Sequence, residues 1–250
     1  MQLCGRLVVE LDGVRWDTAL PGPQGRLIFA YLTVNRHRAV SRDELMTALW
    51  PVSLPAAAGS SLSAVLSRLR RVVGSTRLVG RDEIMLDLPA GTTVDVESAA
   101  EGAHLAESLL AAGRPHEAWW AAAVPRYIGG RWFLPGHEGE WVDQWRTRMH
   151  DLHLRGVELY GRAALQVGGT ETHQAVRDGR ELVAAAPYRE TGWRLLMSAL
   201  AAEGNLAEAL VVHDGLRRLL ADELGTDPAP ETQALHAALL RLATQTATAD

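Results

Sequence analysis

The sequence predicts a mainly α chain with a small β component: a winged helix-turn-helix domain followed by an all-α, tetratricopeptide-like helical-repeat domain. Three observations predict it. Short alternating segments bracket three amphipathic helices within the first 96 residues. From about Val96 onward the texture changes to alanine-rich helix pairs. Two of those pairs are joined by matching glycine turns, Gly113-Arg-Pro-His-Glu-Ala118 and Gly204-Asn-Leu-Ala-Glu-Ala209.

Taken in order, residues 3–16 read as a β-hairpin. Leu7, Val9 and Leu11 alternate with polar or small neighbours, Asp12-Gly13 is a two-residue turn signal, and Val14 and Trp16 resume the alternation. A helix is expected from about Gly25 to Asn35, with Leu27, Ile28, Tyr31 and Leu32 on one face. Ser41-Arg-Asp-Glu44 has the form of a capping box, in which Ser41 and Glu44 satisfy each other's orphan amides. It opens a short helix through Leu45, Leu49 and Trp50 that Pro51 helps to end, and 51–59 follows as a loop. The next helix runs from about Ser60 to Val73. Arg77–Val79 and Ile84–Leu88 then read as two strands joined by Gly80–Glu83.

The 60–73 helix is the candidate functional element. At 100° per residue Leu62, Leu66, Leu69 and Val73 form one apolar stripe. Ser60, Ala64, Ser67 and Arg71 lie opposite, flanked by Ser63, Arg68 and Arg70. A helix that reads DNA needs small side chains for close approach to the groove floor and cations on its flanks. Ser60, Ser61, Ser63, Ala64 and Ser67 supply the first, and Arg68, Arg70 and Arg71 can reach guanine edges or phosphates. Arg81 in the turn between the last two strands completes the candidate DNA-binding set. The alternative for the isolated helix is an ordinary solvated face.

Beyond the first 96 residues each helix pair exposes an apolar face that only a stacked neighbour can bury. A weaker third copy lies at Gly168-Gly169 with Ala175, and the step from Gly168 to Gly204 is 36 residues, close to a tetratricopeptide period of roughly 34. The expected domains are therefore 1–96 and 97–243, with 244–250 a flexible, small and polar tail.

Composition bounds the function classes. The chain has 250 residues, 47% hydrophobic and 22% charged, which is ordinary for a folded globular protein. No apolar stretch approaches a membrane span and the N-terminus lacks the order of a signal peptide, so the cytosol is the expected compartment and no membrane partner is expected. The single cysteine, Cys4, excludes an internal disulfide and a multi-cysteine metal site. Net charge is −5, unevenly spread: residues 1–96 carry 11 arginines against 9 acidic residues, a balance of +2, and 97–250 carry 14 against 21, a balance of −7. There is no lysine. A mildly basic module carried by an acidic one fits these numbers.

With these elements in place, the chain resembles the antibiotic-regulatory-protein (SARP) family of bacterial transcriptional activators. That family joins an OmpR-type winged helix to a tetratricopeptide-like bacterial transcriptional activator domain. In the first half the resemblance is carried by Gly22-Pro-Gln-Gly-Arg26, Val40-Ser-Arg-Asp-Glu-Leu45, Ala48-Leu-Trp-Pro51 and Ser67-Arg-Leu-Arg-Arg71. In the second half it is carried by Leu134-Pro-Gly136, Glu140-Trp-Val142, Ala186-Pro-Tyr-Arg-Glu190, Trp193-Arg-Leu-Leu-Met197, Gly204–Leu210, Leu220-Ala-Asp-Glu-Leu-Gly225 and Asp227-Pro228. The resemblance implies activation of secondary-metabolite (antibiotic) biosynthesis genes. It further implies binding to double-stranded promoter DNA at direct repeats, a homodimer on that DNA, and recruitment of the RNA polymerase holoenzyme. Within it, Ser67, Arg68 and Arg70 occupy positions of base and backbone contact. Neither a receiver domain nor a P-loop ATPase is recognisable, so the short two-domain form is expected.

The wing departs from the family pattern of a glycine-rich turn followed by Tyr-Arg. Here Gly80-Arg-Asp-Glu83 leads into Ile84-Met85, so Met85 stands where the arginine is expected and Asp82 and Glu83 oppose phosphate. Weaker or partner-assisted DNA binding is the expectation. The 51–59 loop corresponds to a polymerase-contacting segment in OmpR-like activators. It has no charges, so it is either an apolar or backbone contact or a plain connector.

Enzyme chemistry is not expected. There is no GxSxG elbow, P-loop or HExxH, and His137-Glu138 lacks the second histidine. No cofactor is expected. His150 and His153 are three apart on a predicted helix but have no evident third ligand, and neither they nor His173 or His213 are assigned a metal. Trp119, Trp120, Trp132, Trp141 and Trp145 form a cluster in the sequence for which packing between helices is expected, with a small-molecule or peptide pocket the alternative. The alternative function is a helical-repeat scaffold or co-regulator whose winged helix is impaired in DNA binding.

Overall fold

The computed structural model describes residues 1–247 and divides the chain into two compact units, one of residues 1–98 with 128–150 and one of residues 99–127 with 151 onward. In the first unit, strands β1 (Glu10–Leu11) and β2 (Val14–Arg15) pair antiparallel, Glu10 with Arg15 and Leu11 with Val14. Asp12 and Gly13 both have positive φ, 52° and 75°, as a two-residue hairpin turn of primed type requires. The regular hairpin is shorter than the expected 3–16. Upstream of it there are only isolated bridges, Gln2 to Val8 and Cys4 to Phe133.

Helix α1 (Gly22–Val34) begins three residues earlier than expected because Pro23 fits the first turn, where no amide is needed. Strand β3 (Val40–Ser41) leads into α2 (Arg42–Leu49), and the capping box is present. Ser41 Oγ accepts from Glu44 N at 3.2 Å and Ser41 N donates to Glu44 Oε1 at 3.4 Å. Helix α3 (Ala58–Val73) is followed by β4 (Leu78–Val79) and β5 (Glu83–Leu86), which with β3 form an antiparallel sheet of order β3-β5-β4. Ile28, Leu32, Leu45, Leu62, Leu66, Leu69, Ile84 and Leu86 are buried to 1% exposure or less and make the core on which the three helices and the sheet converge.

Residues 128–150, which the sequence reading assigns to the second domain, belong to the first unit. Gly5 N donates to Trp132 O at 2.8 Å, Leu134 N donates to Leu3 O at 3.0 Å, and Phe133 is buried. Trp141 Nε1 donates to Ala48 O at 3.3 Å. These bonds join residues about 90 to 130 positions apart, and no local period in the sequence announces them.

Helices α4 (Asp95–Ala111), α5 (Pro115–Gly129), α6 (Glu140–Val167), α7 (Thr172–Ala185), α8 (Glu190–Ala202), α9 (Leu206–Leu224) and α10 (Pro230–Ala247) complete the chain. The two matching glycine turns are the same structure. Gly113 and Gly204 have φ of 68° and 82°, and the next residues, Arg114 and Asn205, donate to the carbonyls five positions back, Leu109 and Leu200, at 2.9 Å in both cases. The weaker copy at Gly168 differs: a short 3-10 turn, Gly169–Glu171, intervenes before α7.

In the second unit the helices approach so closely that some positions have no room for a side chain. A Cβ built on Gly179 would lie 2.8 Å from Leu196 Cα, and one on Gly156 would lie 2.5 Å from Arg126 N. Leu154, Val157, Leu182, Leu195, Met197 and Leu200 fill the core around them. The motif Ala186–Glu190 is structural. Glu190 accepts from Ala229 N at 3.0 Å and from the buried Thr232 hydroxyl, capping the start of α10, while Trp193 Nε1 donates to Pro187 O at 2.8 Å. Asp178, fully buried, pairs with Arg126 and accepts from Gln174 Nε2 at 2.6 Å; burial pushes its carboxyl pKa up despite those partners. Residues 244–247, expected in a flexible tail, continue α10, and the rest of that expected tail, 248–250, lies outside the described residues.

Candidate nucleic-acid interface

Helix α3 presents two opposed faces. Leu62, Val65, Leu66, Leu69 and Val73 are buried, whereas Ser60, Ser63, Ala64, Ser67, Arg68 and Arg71 are exposed. The outer face therefore carries hydroxyls and a methyl along its first turns and two guanidiniums toward its end. No side chain caps the N-terminus of α3 and no acidic residue stands in its first turn. The positive end of the helix dipole is thus uncompensated, which favours an anion there.

The hydroxyls are locally anchored. Ser60 Oγ donates to Ala57 O at 2.9 Å and Ser63 Oγ to Gly59 O at 2.8 Å. Ser61 is half-buried at the edge of the face. Arg68 turns its Nε onto Ala64 O at 3.3 Å and stays exposed, and Arg71 and Arg81 are exposed.

Arg70 differs from its expected place on the contact face. It is half-buried, and its guanidinium donates to Leu78 O at 3.2 Å and to Gly80 O. It straps the β4-β5 wing to the last turns of α3. Gly80 is indispensable to that arrangement: its φ is 88° and an added Cβ would fall 1.8 Å from Glu83 O.

A second strap, Arg42, escapes the sequence reading. From the first position of α2 its guanidinium donates to Ser63 Oγ at 2.7 Å, to Gly59 O at 3.2 Å and to Arg81 O at 3.4 Å, while its amide donates to Asp82 O at 3.1 Å. It joins the start of α3 to the tip of the wing. The sole clue in the sequence is its place inside the Ser41–Glu44 capping box, which advertises a helix start and not a cross-link. Arg77, at the start of the wing, is ion-paired with Asp12 and lies 4.9 Å over the Trp16 ring.

Asp82 and Glu83 are exposed on the wing, and Met85 is 37% exposed. Preceding α3, residues 51–57 are exposed throughout, with Val52 at 96%.

The tryptophan group divides between the two units. Trp141 packs edge-on against Tyr31 at 5.0 Å and Trp145 stacks on Phe133 at 5.6 Å in the first. In the second, Trp119 packs against Tyr160 at 5.3 Å. Trp120 and Trp132 are exposed, at 75% and 63%. His153 contacts Arg126 O at 2.8 Å and Glu181 Oε1 at 3.1 Å, using both ring nitrogens in the packing of the second unit. Among the described residues no group of three or more His, Cys, Asp or Glu is placed to hold a metal ion, and no helix is long and apolar enough to cross a membrane.

Comparison with known proteins completes the picture. The bacterial transcriptional activator domain matches residues 94–240. Regulatory protein AfsR of Streptomyces griseus is 33% identical over 222 residues, covering 88% of this chain and 22% of AfsR, so the chain spans about a fifth of that relative. Regulatory protein DnrI of Streptomyces peucetius is 25% identical over 254 residues, covering 96% of this chain and 92% of DnrI. The solved structure of Mycobacterium tuberculosis EmbR, in complex with a low affinity phosphopeptide, superposes with a TM-score of 0.82 at 25% identity, covering 96% of this chain and 64% of EmbR. The winged helix with a tetratricopeptide-like helical domain is thus a shared architecture. The chain belongs to the bacterial transcriptional activator domain family.

Proposed function

We propose that this chain is a sequence-specific DNA-binding activator acting in the cytosol, without catalysis, on promoters of secondary-metabolite biosynthesis genes. Helix α3 enters the major groove of promoter direct repeats, two copies bind together, and the helical domain with the apolar 51–57 loop recruits the RNA polymerase holoenzyme. The observation that carries this reading is the outer face of α3, where Ser63, Ala64, Ser67, Arg68 and Arg71 are free of the core and flanked by a wing strapped on by Arg70 and Arg42. In this assignment Ser60, Ser61, Ser63, Ala64, Ser67 and Arg68 face the groove, Arg71 and Arg81 hold phosphates, and Arg70 positions the wing. The domains at work are 1–96 for DNA and 97–243 for activation.

Fluorescence anisotropy on duplexes from the promoters flanking the gene tests it. With Arg71 and Arg81 on phosphates, log K against log salt has a slope of about −1.8 for each bound copy, so affinity of one copy falls about 12-fold between about 50 and 200 mM salt. Arg71→Gln lowers that slope by about 0.9, whereas Arg68→Gln relaxes sequence preference. Unchanged binding in both variants overturns the assignment.

One observation favours a second reading, a co-regulator with an impaired winged helix: Asp82 and Glu83 are exposed beside Arg81. It predicts no salt-sensitive DNA binding at any promoter and a stable complex with another regulator.

A further inference from the structure

The second unit holds a polar cleft of about 430 Å³ between α6 and α8. Its floor is apolar, formed by Leu165 and the buried Leu195, and its walls carry Arg162 and Gln166 from α6 and Arg194 and Ser198 from α8. The volume lies within the roughly 300–1,000 Å³ range of small-molecule sites.

The charges in this cleft are unusual for their surroundings. Residues 97–250 carry a net −7, and the arginines of the second unit are mostly consumed by carboxylates: Arg114, Arg126, Arg155, Arg180, Arg217 and Arg218 all form ion pairs. Arg162 and Arg194 form none among the described residues. Arg194 spends one N–H on the Thr232 hydroxyl at 3.0 Å, whereas the exposed Arg162 feels the nearby Glu107 carboxylate but, among the described residues, forms no ion pair. The one carboxylate lining the cleft, Glu158, is already satisfied by the Thr191 hydroxyl at 2.8 Å and by Arg189 at 4.0 Å. The cleft therefore offers two guanidiniums outside any ion pair, one of them with a single N–H spent on Thr232, above an apolar floor. A partly enclosed guanidinium retains strong, directional donors toward carboxylate or phosphate oxygens.

We propose that the α6–α8 cleft is a binding site for a small organic anion, a carboxylate or phosphate joined to a short apolar body. The anionic head is held by Arg162 and Arg194, with the Ser198 hydroxyl and Gln166 amide as neutral partners, and the body lies on Leu165 and Leu195. Such a ligand stabilises the helix packing that the activator domain is built from, because it binds the folded cleft alone.

The test uses the full chain and two probes, hexanoate for the carboxylate and phenyl phosphate for the phosphate, with benzyl alcohol as the uncharged comparison. Calorimetric titration is run beside methyl NMR of the leucines. At least one anion is expected to bind saturably with Kd of about 1 mM or below and to shift the Leu165 and Leu195 methyls. Arg162→Gln, an exposed change with no ion pair to lose, weakens it about tenfold. Arg71→Gln on the α3 face leaves it unchanged, which separates the cleft from the nucleic-acid surface. Absence of saturable binding by both anions overturns the proposal. So does indifference to Arg162→Gln, or benzyl alcohol binding as tightly as the anions.

Discussion

Replacing Arg70 by Gln discriminates between a strap and a contact residue. The guanidinium makes two hydrogen bonds to wing carbonyls, Leu78 O at 3.2 Å and Gly80 O, from a half-buried position. A net value of about 0.5–1.5 kcal/mol for each gives a loss of about 1–3 kcal/mol, which the shorter glutamine cannot recover. The loss is local, so the readout is amide hydrogen exchange at the strand residues of β4 and β5. Exchange there accelerates about 5-fold to 150-fold, since 1.4 kcal/mol is a factor of ten in an equilibrium constant. Arg71→Gln is the matched control: Arg71 is exposed and bonds nothing in the wing, so its exchange rates stay within about twofold of the parent, as expected for a surface change worth under about 0.5 kcal/mol. If Arg70→Gln leaves wing exchange unchanged while weakening DNA binding as Arg71→Gln does, the guanidinium is a groove contact and the strap is wrong.

Other outcomes follow from the same geometry. Ser41→Ala removes the capping-box bond that Ser41 Oγ accepts from Glu44 N, leaving the one donated by the residue 41 amide, and costs about 1 kcal/mol in urea unfolding; a cost below about 0.3 kcal/mol would mean the box is decorative. Gly156→Ala normally gains about 1 kcal/mol of helix propensity, but here its Cβ meets Arg126 N at 2.5 Å and overpacking reverses the sign to a net loss of about 1–3 kcal/mol, read as a lower Tm. His213 stacks on His236 at 3.7 Å, and burial, then His236, lower its pKa from 6.5. Its folded form resists protonation, so its contribution is whole above pH 6.5 and is lost as pH falls below it; Tm measured across pH 5–8 shows that drop, and His213→Gln flattens it.

Much of the fold was legible because its signals are local. The Asp12-Gly13 turn, the Ser41–Glu44 box, the apolar stripe of α3 and the twin glycine turns at Gly113 and Gly204 each act within a few residues, and all are present as read. Helix ends shifted by two or three residues where Pro23 and Ala58 extend a first turn. The tryptophans deceived by their spacing: neighbours in sequence, they pack in two separate units.

The sequence by itself determined the class of protein and the outward face of α3, since both rest on helical periodicity and on motifs short enough for propensity and capping to dictate. Tertiary structure decided which arginines remain available. Arg70 reads as a free cation but is bound to the wing, Arg42 carries no signal of its bonds to α3 and the wing, Arg77 is taken by Asp12, and residues 128–150 join the first unit through bonds to Leu3, Gly5 and Ala48. The adjacent Arg70 and Arg71 thus have different fates, because a guanidinium's partner is set by which carbonyl or carboxylate folding brings within about 3 Å, and that proximity is non-local.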